Sequence, residues 1–245
     1  MASENNPTGG PSRGHVRRMF DEISGTYDLN NRVLSMRRDV VWRRRLTALL
    51  PDGPAPPRLL DLATGTCDVL LAAHRAGRAA PGSIGADFSA GMLREGAKKL
   101  ERANLDGPPA LVRADATRMG FADAAFDAVT IAFGIRNVLD VDGALREMCR
   151  VLRPGGRVVI LEFSMPGNAL LRAGYLLYFR HVLPRLGGLV SGKPDAYRYL
   201  NQSVESFPYG RAFCGCMERA GFVEVTARPL SFGIATLYTG LRPAV

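Results

Sequence analysis

The chain has 245 residues and 47% hydrophobic content, enough for one large domain or a domain with an appendage. No stretch reaches the roughly 18 uninterrupted apolar residues that a membrane-spanning helix needs, and the opening "MASENNPTGGPSRG" lacks the apolar core of a signal peptide. The net charge of +9 sits in two stretches, nine arginines against four acids over residues 12–50 and Arg172, Arg180, Arg185, Lys193 and Arg198 against Asp195 over residues 165–200. Such patches suit nucleic acid, an anionic membrane surface or plain solvated helix faces.

Residues 1–14 read as a disordered tail, and residues 15–50 as a helical cover that precedes the core. From Arg58 onward short apolar runs alternate with amphipathic stretches. "RLLDLAT" reads as a buried strand and "CDVLLAAHRAG" as a helix ending at Gly77. "GSIGADFS" is a second strand, followed by the helix "AGMLREGAKKLERANLDG", stopped by Gly107. "ALVRADAT" and "FDAVTIAFGI" are the third and fourth strands. A helix in "VDGALREMCRVLRPGG" is closed by Pro154 and two glycines, and "RVVILEFS" is the fifth strand. This alternation builds a parallel sheet with helices on both faces.

Residues 166–206 interrupt the pattern as a helical insertion, in which Leu171, Tyr175, Tyr178 and Val182 share one helical face. That stripe suits packing onto the domain, a lid over an apolar substrate or an interfacial helix. After the helix "GRAFCGCMERAGF", the strands "FVEVTARPL" and "GIATLYTG" are joined only by "SFG", too short for a crossover, so they pair antiparallel. Five parallel strands finished by a helix and an antiparallel hairpin form the Rossmann-like, doubly wound layout of the class I S-adenosylmethionine-dependent methyltransferases. The domain runs over residues 51–245. Among four cysteines only Cys214 and Cys216 are close, and the three histidines are scattered. The thiols therefore read as small buried hydrophobes, and no metal is expected.

Ligands of a doubly wound sheet sit beyond the carboxyl ends of its strands at the switch point, where "DLATGTCD" falls. A dinucleotide turn needs G-x-G-x-x-G to bring a pyrophosphate to the helix N-terminus. Here only Gly65 is glycine, Ala63 and Cys67 occupy the other positions, and the turn has no Lys or Arg. The pattern suits a ligand without phosphates. Gly65 permits close backbone approach, and Thr66 offers a hydroxyl and an amide. Asp87 ends the second strand 22 residues after Gly65, where a carboxylate can accept both hydroxyls of a ribose. Asp115, after the third strand, can receive the exocyclic amine of adenine. Each acid alone equally suits capping the next helix. Together they describe S-adenosylmethionine.

The stretches "VRRMFDEISGTYDLNNRVLS", "LLDLATGTCDV", "GADFSAGML", "FDAVTIAFGIRNVLD", "ALREMCRVLRPGGRVVILEFSMP", "YLNQSVESFPYGRAF" and "GFVEVTARPLSFGIATLYTG" resemble the ubiquinone and menaquinone biosynthesis C-methyltransferase family, most closely its demethylmenaquinone branch. The resemblance covers nearly everything from Val16 to Gly240. It implies cofactor contacts at Thr66 and Asp87, and at Asp115 with Ala116. Some members use a serine of the fourth strand; Ala132 holds that position here, without the hydroxyl. Cys67 stands where the family commonly has glycine, and a small side chain is tolerated there provided φ is not positive.

The family methylates a ring carbon of a reduced quinone with a polyprenyl tail, and the resemblance implies a prenylated demethylmenaquinol as acceptor. Carbon ortho to a hydroxyl becomes reactive as that hydroxyl loses its proton. The site must favour a phenolate, align the reacting atoms, exclude water and supply a base for the ring proton. Arg136 and Asn137 are the catalytic candidates. Arg136 can stabilise a quinolate oxygen, and the resemblance implies that it helps a water act as base, since a guanidinium does not itself deprotonate. The structural alternative pairs Arg136 with Asp140 or Asp142. Tyr27 and Asn31 in the cover, and Tyr178 in the insertion, are the further substrate contacts.

A prenylated quinol lives in the bilayer, so both basic stretches are expected to form a rim facing the membrane. The resulting expectation is a cytoplasmic protein touching the inner face of the cell membrane peripherally. A homodimer is left open. The rivals are a benzoquinol acceptor of ubiquinone biosynthesis, another aromatic or polyketide acceptor, a nucleic-acid methyltransferase and a non-enzymatic binding module. No nucleic-acid partner is expected, because the Asn-Pro-Pro-Tyr and Pro-Cys motifs are missing after the fourth strand. "FGIATLYTG" leans to the menaquinone type by resemblance alone.

Overall fold

The apolar runs pair into one seven-stranded sheet of order β3-β2-β1-β4-β5-β7-β6. Its strands are β1 (Leu59–Leu62), β2 (Ile84–Asp87), β3 (Ala110–Arg113), β4 (Phe126–Ala132), β5 (Leu152–Phe163), β6 (Val223–Leu230) and β7 (Ala235–Leu241). The helices are α1 (Arg13–Ile23), α2 (Tyr27–Leu34), α3 (Arg38–Thr47), α4 (Asp68–Arg75), α5 (Ala90–Ala103), α6 (Val141–Val151), α7 (Ala169–Leu177), α8 (Pro194–Ser206) and α9 (Arg211–Arg219). This computed structural model describes residues 13–35, 37–178, 180 and 194–244. Most of the expected tail, together with Val182, Arg185 and Lys193, lies outside the described residues.

β1 pairs in parallel with both β2 and β4, so the strand order reverses between them and a crevice opens at their carboxyl ends. β7 inserts between β5 and β6, antiparallel to both. β6 therefore runs in the direction of the first five strands. Its connection to β7, Ser231–Gly233, is carried to the same carboxyl edge as the crevice.

The central strands β1, β4 and most of β5 are buried on both faces, whereas the edge strands β3 and β6 are largely exposed. Leu60, Leu62, Val129, Ile131, Val158 and Ile160 pack in one core cluster with residues of α6 and α9. The alternate residues Leu59, Ala128, Val159 and Leu161 pack in a second with α4. That second cluster also contains Trp42, Leu46 and Leu50, so the last part of the expected cover is a layer of the core itself.

Two helix ends differ from the sequence expectation. α5 stops at Asn104, which takes the left-handed conformation itself, before Gly107 is reached. α6 ends at Val151, and Pro154 falls inside β5, which pairs with β4 from Leu152 across an irregularity between Phe126 and Ala128. A proline tolerated at such a bulge removes no ladder bond.

Candidate active site

After β1 the chain turns through Ala63, Gly65 and Cys67, at positive φ values of 46°, 55° and 68°. Glycine adopts this region freely, whereas other L-residues lose roughly 1–2 kcal/mol there. Four hydrogen bonds hold the strained turn. The Thr64 amide donates to Ala86 O (3.1 Å), the Cys67 amide to Thr64 O (2.9 Å), the Gly65 amide to Asp87 Oδ2 (2.8 Å), and Thr64 Oγ1 to Asp61 Oδ2 (2.6 Å). The condition placed on Cys67 thus fails, because its φ is positive. Its thiol is fully buried, and a Cβ added at Gly96 would lie 2.5 Å from Sγ, so Gly96 makes room for it. Beneath the turn, burial pushes the Asp61 carboxyl up to about 7, although Thr130 and Thr64 both donate to it.

Beyond the carboxyl ends of β1, β2 and β4 lies a cavity of about 130 Å³. Gly65, Asp87, Asp115, Ala116, Ala132 and Asn137 all line it. Asp87 accepts from the Gly65 amide on Oδ2 and from the Ser89 amide on Oδ1, both at 2.8 Å. Burial raises its pKa, and backbone hydrogen bonds oppose the rise. Asp115 Oδ1 accepts from the amide and hydroxyl of Thr117. Both acids therefore shape turns, as the capping alternative has it, and still face the cavity. The donor set fits a nucleoside without phosphate: two carboxylates can accept hydroxyl and amine hydrogens, and the lining cation, Arg17, lies over the Phe88 ring at 5.9 Å. Thr66 is the exception among the expected contacts. It is buried away from the cavity, donating to Asp28 Oδ1 at 2.5 Å and accepting from Lys99 Nζ at 3.0 Å.

A second cavity of about 520 Å³ shares Phe20, Tyr27 and Phe133 with the first. These three residues line both spaces. Tyr27, Asn31, Arg136 and Tyr178, the expected substrate contacts, all line the larger cavity. Leu171 and Tyr175 of the insertion's apolar stripe line it as well, whereas composition and spacing did not single out Trp42, Phe163 or Tyr199, which line it too. Phe133 stacks on Phe163 with centroids 4.5 Å apart, Trp42 abuts Phe133 at 6.0 Å, and the Trp42 indole donates to Ser231 Oγ at 3.0 Å. Ser231 reaches the cavity because β6 delivers it to this edge.

Arg136, like Arg43, is a buried cation of this space, its side chain 8% exposed. Its partner is neither Asp140, which caps α6 through the Gly143 amide, nor Asp142, which lies 3.7 Å from Arg219. Nη1 donates instead to Glu162 Oε1 at 2.6 Å and to Phe133 O at 2.7 Å, while the guanidinium sits 5.2 Å from the Phe163 centroid. Nε is buried without a hydrogen-bond partner among the described residues. A donor left this way costs about 1–3 kcal/mol. Asn137 Oδ1 accepts from the Tyr199 hydroxyl at 3.1 Å, which ties α8 to the same turn. Burial raises the Tyr199 and Tyr27 pKa values.

Charged side chains fasten the cover to the core. Arg43 is buried between Asp39 (2.5 Å) and Asp68 (3.2 Å), and Lys99 joins Asp68 (2.6 Å) to Asp28 (2.5 Å). Asp21 of α1 accepts from Ser89 Oγ and from the Gly91 amide. A Cβ at Gly91 would meet Asp21 atoms at 3.0 to 3.2 Å, so glycine allows α1 to dock here. Part of the basic excess is thus internal: Arg43 anchors the cover and Arg17 faces the smaller cavity. Among the described residues, no group of three or more His, Cys, Asp or Glu is placed to hold a metal ion.

Comparison with known proteins gives the fold and the family. Solved structures share the fold at low identity: a S-adenosylmethionine-dependent methyltransferase from Thermotoga maritima superposes with a TM-score of 0.65 at 16% identity, over 93% of this chain and all of that one. Haemonchus contortus phosphoethanolamine N-methyltransferase 2, in complex with S-adenosylmethionine, gives 0.62 at 12%, over 82% of this chain and 52% of that one. Among sequences, the demethylmenaquinone methyltransferase of Thermus thermophilus is 48% identical over 92% of this chain and 100% of its own. That of Clavibacter sepedonicus is 45% identical, over 94% and 91%. The ubiquinone/menaquinone biosynthesis C-methyltransferase of Syntrophotalea carbinolica is 48% identical, over 93% and 94%. The model of the ubiE/COQ5 methyltransferase family matches residues 10–242, and the chain, a methyltransferase by sequence and by fold, belongs to that family.

Proposed function

We propose that the chain methylates a ring carbon of a prenylated demethylmenaquinol, giving menaquinol, with S-adenosylmethionine as donor. The observation that carries this reading is the pair of cavities that share Phe20, Tyr27 and Phe133, one edged by carboxylates and the other largely apolar with two buried arginines. Arg43 is paired with Asp39 and Asp68, and Arg136 keeps a donor unpaired among the described residues. Bound S-adenosylmethionine supplies an electrophilic methyl group. Asp87 and Asp115 hold the nucleoside, Gly65 lets it approach the backbone, and Ala116 and Ala132 leave room for the ring. On the acceptor side, Arg136 lowers the energy of a phenolate oxygen, while Asn137 and Tyr199 orient that oxygen or a water that takes the ring proton. Trp42, Phe133 and Phe163 bury the bicyclic ring and exclude water.

The experiment is a product analysis with methyl-labelled S-adenosylmethionine and chemically reduced demethylmenaquinone in lipid micelles. Label on the naphthoquinol ring carbon is the expected result. Label only on a benzoquinol control would move the chain to ubiquinone biosynthesis, and transfer to neither would remove quinols as acceptors.

We also infer peripheral contact with an anionic bilayer. No described helix is long and apolar enough to cross a membrane, so a bilayer-dissolved tail must be met at the surface. Leu170 on α7 and Phe232 on the β6–β7 connection are 82% and 81% exposed, and both line the larger cavity beside the exposed Arg38. Apolar tips beside cations at a cavity mouth suit an anionic interface. Vesicles containing phosphatidylglycerol should sediment the protein, and Phe232→Asp with Leu170→Asp should weaken this severalfold. Equal sedimentation by neutral and anionic vesicles would remove the electrostatic part of the reading.

A further inference from the structure

Glu162, at the end of β5, has no solvent exposure, yet carries a carboxylate in an otherwise apolar run. Its oxygens are taken by three donors. Oε1 accepts from Arg136 Nη1 at 2.6 Å and from the Phe163 amide at 2.8 Å, and Oε2 accepts from the Arg136 amide at 3.3 Å. The carboxylate therefore grips Arg136 at both its side chain and its main chain. Phe133 O occupies Nη1 a second time, and Phe163 lies against the guanidinium. With Nη1 doubly engaged and one face on an aromatic ring, the planar group has a single orientation. What that orientation leaves over is Nη2 together with Nε, the latter buried without a partner among the described residues, on a residue that lines the large cavity.

We propose that Glu162 is the positioning residue for Arg136, locking the guanidinium so that an N–H not taken by Glu162 or Phe133 donates to the ring hydroxyl oxygen of the acceptor as that oxygen becomes a phenolate. The proposal rests on the acceptor role given to Arg136 above. A buried donor whose partner arrives only with the acceptor strengthens as negative charge develops, which places its effect in the chemical step. Glu162 also offsets the arginine's charge, so the cation can stay buried before the acceptor binds.

The test separates position from charge. Glu162→Asp keeps the charge but withdraws the carboxylate by one methylene. Glu162→Gln keeps the length and the Oε1 acceptor but removes the charge and, with it, the Oε2 acceptor of the Arg136 amide. A displacement of about 1 Å can cost about 10²-fold in rate, so Glu162→Asp should lose that much kcat, with KM and the cofactor Kd changed by less than about threefold. Glu162→Gln should keep kcat within about tenfold of the parent.

The second readout needs no turnover. 1-Naphthol, with one ring hydroxyl and no quinone form, is titrated by its ultraviolet absorption while bound. The parent should lower its pKa relative to free naphthol, and Glu162→Asp should return it toward the free value. A Glu162→Asp protein that binds cofactor normally and titrates naphthol like the parent would overturn the proposal. If Glu162→Asp does not bind cofactor, Glu162→Gln decides: a loss of kcat approaching 10²-fold overturns positioning in favour of charge. A parent that leaves the naphthol pKa unmoved, or an Arg136→Ala protein that matches it, refutes the acceptor role of Arg136 itself.

Discussion

The two cavities are built on different principles. The smaller takes Gly65, Asp87, Asp115 and Ala132 from the ends of successive strands or the turns just past them. Each is placed by the sheet and by hydrogen bonds within a turn or between neighbouring strand ends, such as Gly65 to Asp87. The larger draws on α1, α2, α3, the turn after β4, the end of β5, α7, α8 and the β6–β7 connection. No single element defines it, and its polar groups are held by contacts such as Arg136–Glu162, 26 positions apart. A site assembled at one sheet edge can keep its cofactor while the acceptor side is rebuilt from appendages.

The strongest way to break this comparison is at Asp87. Both of its oxygens accept backbone amides of the cavity rim, and the carboxylate is the proposed ribose acceptor. Hydrogen bonds to charged groups contribute about 1.5–3 kcal/mol each. Asp87→Ala should therefore weaken cofactor binding by about 10²-fold or more, measured by calorimetry, while 1-naphthol binding in the larger cavity changes little. Equal losses in both would mean that the cavities are one cooperative unit.

Next in size is the packing of the glycine turn. A Cβ at Gly96 would approach Cys67 Sγ to 2.5 Å and Gly65 O to 3.2 Å. Overpacking of this kind costs about 1–3 kcal/mol, so Gly96→Ala should lower the unfolding midpoint and the cofactor affinity together. In a Cys67→Gly background the first clash is gone and a left-handed residue is relieved. The second change should then cost clearly less, and additive losses would show that Gly65 O, rather than the thiol, sets the limit.

These cases also show what could be read in advance. The strands, the tight antiparallel hairpin and the acids Asp87 and Asp115 were legible because period, turn length and strand ends are local features. Arg136, Tyr27, Asn31 and Tyr178 line the larger cavity as expected, but the first three through family likeness more than spacing. Glu162 was not singled out, although a lone acid in "RVVILEFS" is a signal that it needs a buried partner. Nothing local says that the partner is Arg136 rather than another cation. The side-chain partners of Thr66 were out of reach for the same reason: Asp28 and Lys99 come from α2 and α5. Cys67 could not be judged without φ.

A pH effect sharpens the picture of the rigid edge. Burial raises the Asp61 carboxyl to about 7 when folded, against about 3.9 for an exposed aspartate. The folded state then holds a proton that the unfolded state releases. The stability from this group is complete below about pH 4 and falls as pH rises to about 7, at up to about 1.4 kcal/mol per unit. Asp61→Asn should flatten this decline, read as the difference in urea midpoint between pH 5 and pH 7. The groups with lowered values act elsewhere. For Asp68 burial is outweighed by Arg43 and Lys99, and for Asp21 by Ser89 and Gly91. Their contributions are lost only as pH falls below about 4, outside that window. An unchanged slope in Asp61→Asn would mean that the carboxyl is ionised throughout.

The smallest effect is the most discriminating between the two regions. Thr66 belongs to the cofactor turn by sequence but to the cover by contact, since its hydroxyl bridges Asp28 of α2 and Lys99 of α5. Thr66→Val keeps the shape and removes both bonds. Loss of neutral and charge-assisted hydrogen bonds at a half-satisfied site should cost about 1–2 kcal/mol in stability, with Asp28 and Lys99 still joined at 2.5 Å. Cofactor affinity should shift by no more than about threefold, because the side chain lies outside the smaller cavity. Acceptor KM should rise more than cofactor Kd, since α2 carries Tyr27 and Asn31 on the larger cavity's wall. If cofactor binding instead falls as far as in Asp87→Ala, the hydroxyl turns toward the nucleoside when it binds. The turn would then serve both cavities, and the bond to Asp28 would be the latch that cofactor binding opens.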